Sequence, residues 1–346
     1  MIGPDRSVHG GISAVVNNYY EAGLDNRVDL KYIGTMKEGS KAYKLLVAIK
    51  AYREFGHELK WADVVHVNVA SDNSFRRKAL FIKKAKQVGK KLVIHQHGGD
   101  FRTFFYEQNN AGGRKKIVDT LCMADRLIVL SEGWKEFFSE VISKEHKKPV
   151  INVLNNTISI PKEAEVSAKV YGEHNLLFLG RICKDKGISE LIEAVDTLSK
   201  EFPGIHLYLG GIYEDEGYRS LIDKHTDTMT YLGWIDGETK REYLKKCDIL
   251  VLPSYYEGFP VSVIEGMAYG CAVAATRVGA VPEIIEDGTD GILIEPKDSI
   301  SLTEGLRELL SDEWNLERIG RGAALRASQD YNITNTINEL IRIYED

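Results

Sequence analysis

The sequence predicts an α/β protein of two domains, each a parallel sheet with helices on both faces, and three observations carry that expectation. With 346 residues the chain exceeds the size at which a single core usually stops growing, so about two domains are expected. Apolar strand-like runs alternate with helical patterns along the whole length, as crossover connections between parallel strands require. The alternation starts afresh after a polar stretch, 161–174, rich in Glu, Lys and Ala, which reads as the linker. At the start, Met1 and Ile2 leave room for only a very short strand before Gly3-Pro4. Gly10-Gly11 then lead into a helical pattern of Ile12, Val15, Val16 and Tyr19. Strands follow at 64–69, 91–96, 126–130 and 150–154, separated by helical stretches such as 74–88 and 133–141. The second half has strands at 176–179, 205–210, 229–232, 249–253, 272–276 and 291–294, again with helices between, and a closing helix at 332–344. Two Rossmann-like domains, 1–160 and 161–330, facing each other across a cleft, are the resulting expectation.

Composition narrows the function classes. Hydrophobic residues at 43%, charged residues at 28% and a formal net charge of −6 describe a folded chain and disfavour an extended nucleic-acid site. Cys122, Cys183, Cys247 and Cys271 are widely spaced, show no paired metal-ligand spacing and suit a reducing compartment. No apolar run approaches the length of a membrane span and no signal pattern opens the chain, so a cytoplasmic location is expected.

In open α/β sheets ligands bind beyond the C-terminal ends of strands, so the loops that follow strands are searched first. The most informative runs Glu257-Gly258-Phe259-Pro260-Val261-Ser262-Val263-Ile264-Glu265. Gly258 supplies backbone freedom for a turn, Pro260 suits a first helical position, and Val261, Ile264, Met267, Ala268 and Ala272 recur at helical spacing. A helix start pointing out of a sheet edge offers bare N–H groups and a positive dipole end, an anion site suited to a diphosphate. Glu265 falls on the apolar face with Val261 and Ala268, where an unpaired carboxylate would cost several kcal/mol. A ribose diol or an internal Lys or Arg would each satisfy it. Three further loops follow strands: Gly10-Gly11; His95-Gln96-His97-Gly98-Gly99-Asp100; and Gly180-Arg181 through Lys186-Gly187.

With these residues in place, the chain resembles glycosyltransferase family 4, retaining enzymes of the GT-B fold that use activated nucleotide sugars. The resemblance runs nearly end to end, through Gly10-Gly11, the His97 loop, Asn156, Arg181 with Lys186, Gly233, the stretch 248–254, the glutamate pair, and Gly279, Pro282 and Glu283. It implies an acceptor-binding first domain (1–160), a donor-binding second domain (161–330), and a C-terminal helix (331–346) crossing back to the first. Carried over by position, Arg181 and Lys186 resemble the basic pair on the donor phosphates, a fork and a point charge that would stabilise the departing diphosphate without metal. Glu265 resembles the ribose-binding carboxylate and Glu257 the one facing the sugar ring. Phe259 and Val261 would offer backbone N–H groups beside Gly258. Gly233-Trp234 resembles the turn near the base, and His97 the histidine near the anomeric centre. Gly10 and Gly11 would let backbone approach a ligand closely. No cofactor and no metal are implied. Two departures stand out: Pro260 replaces a Gly or Ser and removes a donor, and Asn156-Thr157-Ile158-Ser159 replaces the usual Asn-Gly-Val-Asp.

The implied activity is transfer of a sugar from a UDP-sugar, rather than a GDP-sugar, to a glycan or lipid-linked acceptor in cell-surface polysaccharide or glycolipid synthesis. A sugar-nucleotide epimerase on the same fold and a non-catalytic nucleotide-sugar-binding subunit are the alternatives. Arg76, Arg77, Lys78, Lys83, Lys84, Lys86, Lys90 and Lys91 form a basic block, interleaved with apolar residues, that reads equally as an anionic-membrane face at the plasma membrane or as an ordinary solvated helix. Phe101, Phe104, Phe105 and Tyr106 read equally as surface near an acceptor opening or as core.

Overall fold

The computed structural model describes residues 1–346, and the chain divides into two compact units, Met1–Ser159 with Ile333–Asp346, and Ile160–Asn332. In the first unit six parallel strands lie in the order β2-β1-β3-β4-β5-β6. They are β1 (Ile2–Gly3), β2 (Ile33–Gly34), β3 (Val64–Val69), β4 (Lys91–Gln96), β5 (Arg126–Val129) and β6 (Val150–Val153). The short β1 is central, with Ile2 paired to Ile33 on one side and to Val67 on the other. Its partner β2 carries no sequence signal, because two residues are too few to show a period. β3 and β4 are buried almost throughout, which is why they read as continuous apolar runs.

The second unit has six parallel strands in the order β12-β11-β10-β7-β8-β9. These are β7 (Asn175–Leu179), β8 (His206–Gly210), β9 (Met229–Gly233), β10 (Ile249–Leu252), β11 (Ala272–Thr276) and β12 (Ile292–Ile294). This is the doubly wound order, with the direction of winding reversing between β7 and β10. Ala272 belongs to β11 and not to the apolar face of the preceding helix, a difference explained by the left-handed Gly270 that ends that helix. The polar stretch after the unit boundary includes a short helix, Glu163–Ser167.

The helix Ile333–Glu345 completes the first unit: Ile333, Ile337, Leu340 and Ile343 are buried, Thr157 Oγ1 donates to Thr336 Oγ1 (2.8 Å), and Lys91 Nζ donates to the Tyr344 carbonyl (2.7 Å). Phe101, Phe104 and Phe105 are core, with Phe101 packed on Phe138 at 5.0 Å; only Tyr106 is exposed, so the surface reading of this cluster fails for three of four rings. In the basic block three of the eight cations are engaged within the unit, and Arg76 and Lys83 stay exposed. Lys78 is buried, Lys86 pairs with Asp125 (3.0 Å) and Lys91 is tied to the C-terminal helix. No helix is long and apolar enough to cross a membrane.

Candidate active site

At the winding reversal of the second unit, the loops leaving β7 and β10 lie side by side, since those strands are paired. After β7 the chain turns through a single 3-10 turn, Lys184–Lys186, into Gly187, whose φ is +68°. A Cβ there would lie 2.1 Å from the Pro253 carbonyl oxygen, and the Tyr255 N–H donates to the Asp185 carbonyl (2.8 Å). The turn is therefore pressed against the start of the β10 loop. Gly279 presses from the other side: its φ is +55°, and a Cβ would lie 1.8 Å from the Glu257 carbonyl oxygen. Only glycine combines that left-handed backbone with that approach. Held between these turns, Glu257 Oε1 accepts a hydrogen bond from Lys186 Nζ, and the two side chains are only 11% and 16% exposed.

Glu265 sits in the helix Val261–Ala268 that follows, and Lys240 Nζ reaches it at 2.5 Å. Its requirement for a partner is thus met by an internal lysine, from the helix Gly237–Lys246, that sequence reasoning did not single out. Pro260 precedes the helix with ψ of 115° instead of occupying its first turn. The Phe259 ring is buried, edge-on to Tyr331 at 5.7 Å, so only its backbone could meet a ligand. Arg181 has a different acid from Lys186: its Nη1 is 2.6 Å from Glu214 Oε2, and the two side chains are about half exposed, at 48% and 51%. Gly233 ends β9 at φ +71°, a Cβ added there would meet no atom within 4 Å, and Trp234 after it is exposed. Nearby, the Tyr213 ring packs at a tilt against Tyr231 (centroids 4.4 Å apart), and burial pushes the Tyr213 hydroxyl up to about 12, with Tyr231 adding to the effect.

In the first unit His97 follows β4. Its N–H donates to the Val69 carbonyl (2.8 Å) and its Nε2 lies 2.9 Å from Asn68 Oδ1. The ring stacks on His95 at 4.0 Å, His95 lies 5.3 Å from His66, and His66 Nδ1 hydrogen-bonds the Tyr344 hydroxyl (2.7 Å). Burial pushes His95 down to about 3 and carries His66 and His97 well below their ordinary value, the latter two also disfavoured by neighbouring imidazoles. The Lys78 amine donates to Ser74 Oγ (2.9 Å), and burial, then Arg77, pushes it down to about 7. No sequence signal marks Lys78 as buried, because it sits in a run of surface-like charges. Gly10 and Gly11 open the helix Gly11–Glu21 with no atom within 4 Å of either added Cβ. Nothing inside the chain therefore demands glycine at these two positions.

Residues 159–326 match the family described as glycosyl transferases group 1. The chain is 24% identical to an uncharacterized 41.2 kDa protein in the cps region of Klebsiella pneumoniae, over 98% of each. It is 32% identical, over 61% of this chain and 58% of the relative, to the N,N'-diacetylbacillosaminyl-diphospho-undecaprenol alpha-1,3-N-acetylgalactosaminyltransferase of Campylobacter jejuni. Among solved structures, sucrose-phosphate synthase from Thermosynechococcus elongatus superimposes with a TM-score of 0.76 at 19% identity, covering 99% of this chain and 97% of that one. Anabaena HepE in complex with UDP and glucose gives 0.76 at 16% identity, covering 100% and 98%. The fold is GT-B, and the chain is a glycosyltransferase in class. The group 1 match coincides almost wholly with the second unit.

Proposed function

We propose that the chain is a metal-independent, retaining glycosyltransferase of the family 4 kind, taking a sugar from a UDP-sugar to a glycan or lipid-linked acceptor in cell-surface polysaccharide or glycolipid synthesis. The observation that carries the reading is the Lys186–Glu257 pair, clamped by Gly187 and Gly279 at the winding reversal of the second unit. Donor binding is assigned to that unit and acceptor binding to the first. Lys186, with Arg181, neutralises the charge that grows on the diphosphate as its bond to the sugar C1 breaks. The acceptor oxygen bonds to C1 on the same face, and its proton passes to the departing phosphate oxygen. Glu257 orients the sugar, Glu265 receives the ribose diol by sharing or releasing Lys240, and the backbone at Gly233, Gly258, Phe259 and Val261 lines the donor site. His97 is assigned its role toward the sugar by resemblance alone. The UDP held by the structurally similar HepE and the diphospho-undecaprenol substrate in the Campylobacter relative's name support the donor base and the acceptor class.

The test is thermal unfolding with UDP, GDP and their sugar conjugates in EDTA, for the wild type and for Glu265→Ala and Lys186→Ala. Stabilisation by UDP and its conjugates, reduced in both variants, is the expected result. A wild type that no nucleotide stabilises overturns the reading.

A further inference from the structure

We propose that Asn68 is a positioning residue for the reaction: its side-chain amide fixes which nitrogen of His97 carries the proton, so that Nδ1 is offered to the substrate as an acceptor for a sugar hydroxyl. Asn68 lies in β3, in register with His95 of β4, and is fully buried. An amide inside an apolar strand must have both ends bonded, since an unbonded end costs its lost hydration. Its Nδ2 donates to the Ile2 carbonyl (3.1 Å), which settles the orientation of the amide, because the reverse would set two carbonyl oxygens against each other. Asn68 Oδ1 is thereby left facing His97 Nε2 at 2.9 Å.

An amide oxygen offers only lone pairs, so Nε2 is the donor and holds the proton. A neutral imidazole has one N–H, and the groups that act on this ring, His95, His66 and Lys78, all disfavour a second. The lone pair therefore sits on Nδ1. That atom makes no hydrogen bond within the chain, and His97, unlike His66 and His95, is not closed off from solvent. The ring is held in place: it packs on His95 at 4.0 Å, its backbone N–H is bound by the Val69 carbonyl (2.8 Å), and Gly98 after it is pressed to Ser71, where an added Cβ would lie 2.6 Å from Oγ. A fixed lone pair at the C-terminal end of a central strand, where such sheets take ligands, accepts from a hydroxyl and turns away an anion or a carbonyl oxygen. The contact with the sugar rests on the proposed function, whereas the tautomer does not.

The experiment is long-range proton–nitrogen NMR of the full chain with isotope-labelled histidine, first without nucleotide and then with UDP-glucose, UDP-galactose or UDP-N-acetylglucosamine, whichever raises the melting temperature most. His97→Gln identifies the His97 signals. In the ligand-free wild type His97 should show a protonated Nε2 and a bare Nδ1, and the bound UDP-sugar should shift Nδ1 as a hydrogen bond to its lone pair does, while UDP alone leaves it in place. Asn68→Ala should give His97 a mixture of the two tautomers and weaken UDP-sugar binding about fivefold with UDP binding unchanged, the worth of one hydrogen bond. A residue that only tied β1 to β3 would move neither the tautomer nor the ratio of the two affinities. A ligand-free wild type with the proton on Nδ1 overturns the proposal even if Asn68→Ala fails to fold, and so does a UDP-sugar that binds without shifting Nδ1. If no nucleotide stabilises the wild type, the donor reading and the substrate contact fail together, and the ligand-free spectrum still decides the tautomer.

Discussion

The two units gather polar side chains near the C-terminal ends of their strands by opposite electrostatic means. In the second unit the charges are matched in pairs: Lys186 with Glu257, Lys240 with Glu265, Arg181 with Glu214. In the first unit the cluster holds His66, His95, His97 and Lys78, with no carboxylate bonded to any of them, and burial favours their neutral forms. In a matched cluster the cation is already charged and oriented for an incoming anion, provided that the ligand also satisfies the carboxylate it displaces. A neutral cluster instead penalises any gain of protons. The first arrangement suits holding a charged ligand, and the second a buried cluster whose histidines stay uncharged near neutral pH.

The largest effect should come from removing the most enclosed cation of the matched cluster. Lys186→Ala should lower kcat by about 10²–10³-fold, as loss of a preorganised charge stabiliser does. Arg181→Ala should cost only about tenfold, since the guanidinium is half exposed and exchanges readily with water. Steady-state kinetics on the two variants would break the comparison if Arg181 proved the more costly.

The neutral cluster should respond to pH in the way its unpaired groups dictate. Lys78 in the folded protein titrates at about 7, well below an ordinary lysine, so the unfolded chain binds its proton more tightly. The resulting penalty is complete below pH 7 and is relieved as pH rises toward 10.5. Lys78→Met should therefore stabilise the first unit by an amount on the order of a few kcal/mol at pH 7, with the gain fading by pH 10. Denaturant melts at the two pH values measure both. The histidines act in the acid range: with His95 at about 3 when folded, its penalty is absent above pH 6.5 and grows as pH falls toward 3. Melting temperature should decline over that window, and less steeply in His95→Phe.

The next effect tests the clamp around the matched cluster. Gly279→Ala forces a methyl group into a left-handed position and against the Glu257 carbonyl. It should cost about 2 kcal/mol or more and loosen the Glu257 loop. A lower melting temperature together with weaker UDP stabilisation is expected, whereas unchanged values would mean that the loop is not held from that side.

The contrast between the units also explains which features are legible in sequence. Central strands such as β3, β4 and β11 stand out because burial on both faces makes their residues largely apolar. The helix Lys41–Glu58 does not, because its outward leucines and isoleucine blur the period that marks a buried face. Glu257 and Lys186 are legible as loop residues after strands, but their partnership is not, since it depends on how two glycine turns press together. Glu214 and Lys240 are hidden for the same reason: they lie 33 and 25 residues from the groups they neutralise. Lys78 looks like one more charge in a basic run, and only the packing of its helix turns it inward.

The smallest expected change in stability is the most discriminating for the first unit. Gly10 has extended backbone that any residue adopts, and an added methyl would meet nothing within 4 Å. Gly10→Ala should therefore leave the melting temperature unchanged within about 0.5 kcal/mol of stability. If the glycine keeps space for a substrate atom, the same variant should raise KM severalfold with kcat less affected, because one methyl would stand where the ligand approaches. A raised KM without loss of stability would assign that helix start to ligand contact, whereas unchanged kinetics would remove Gly10 from the proposed ligand-contacting residues.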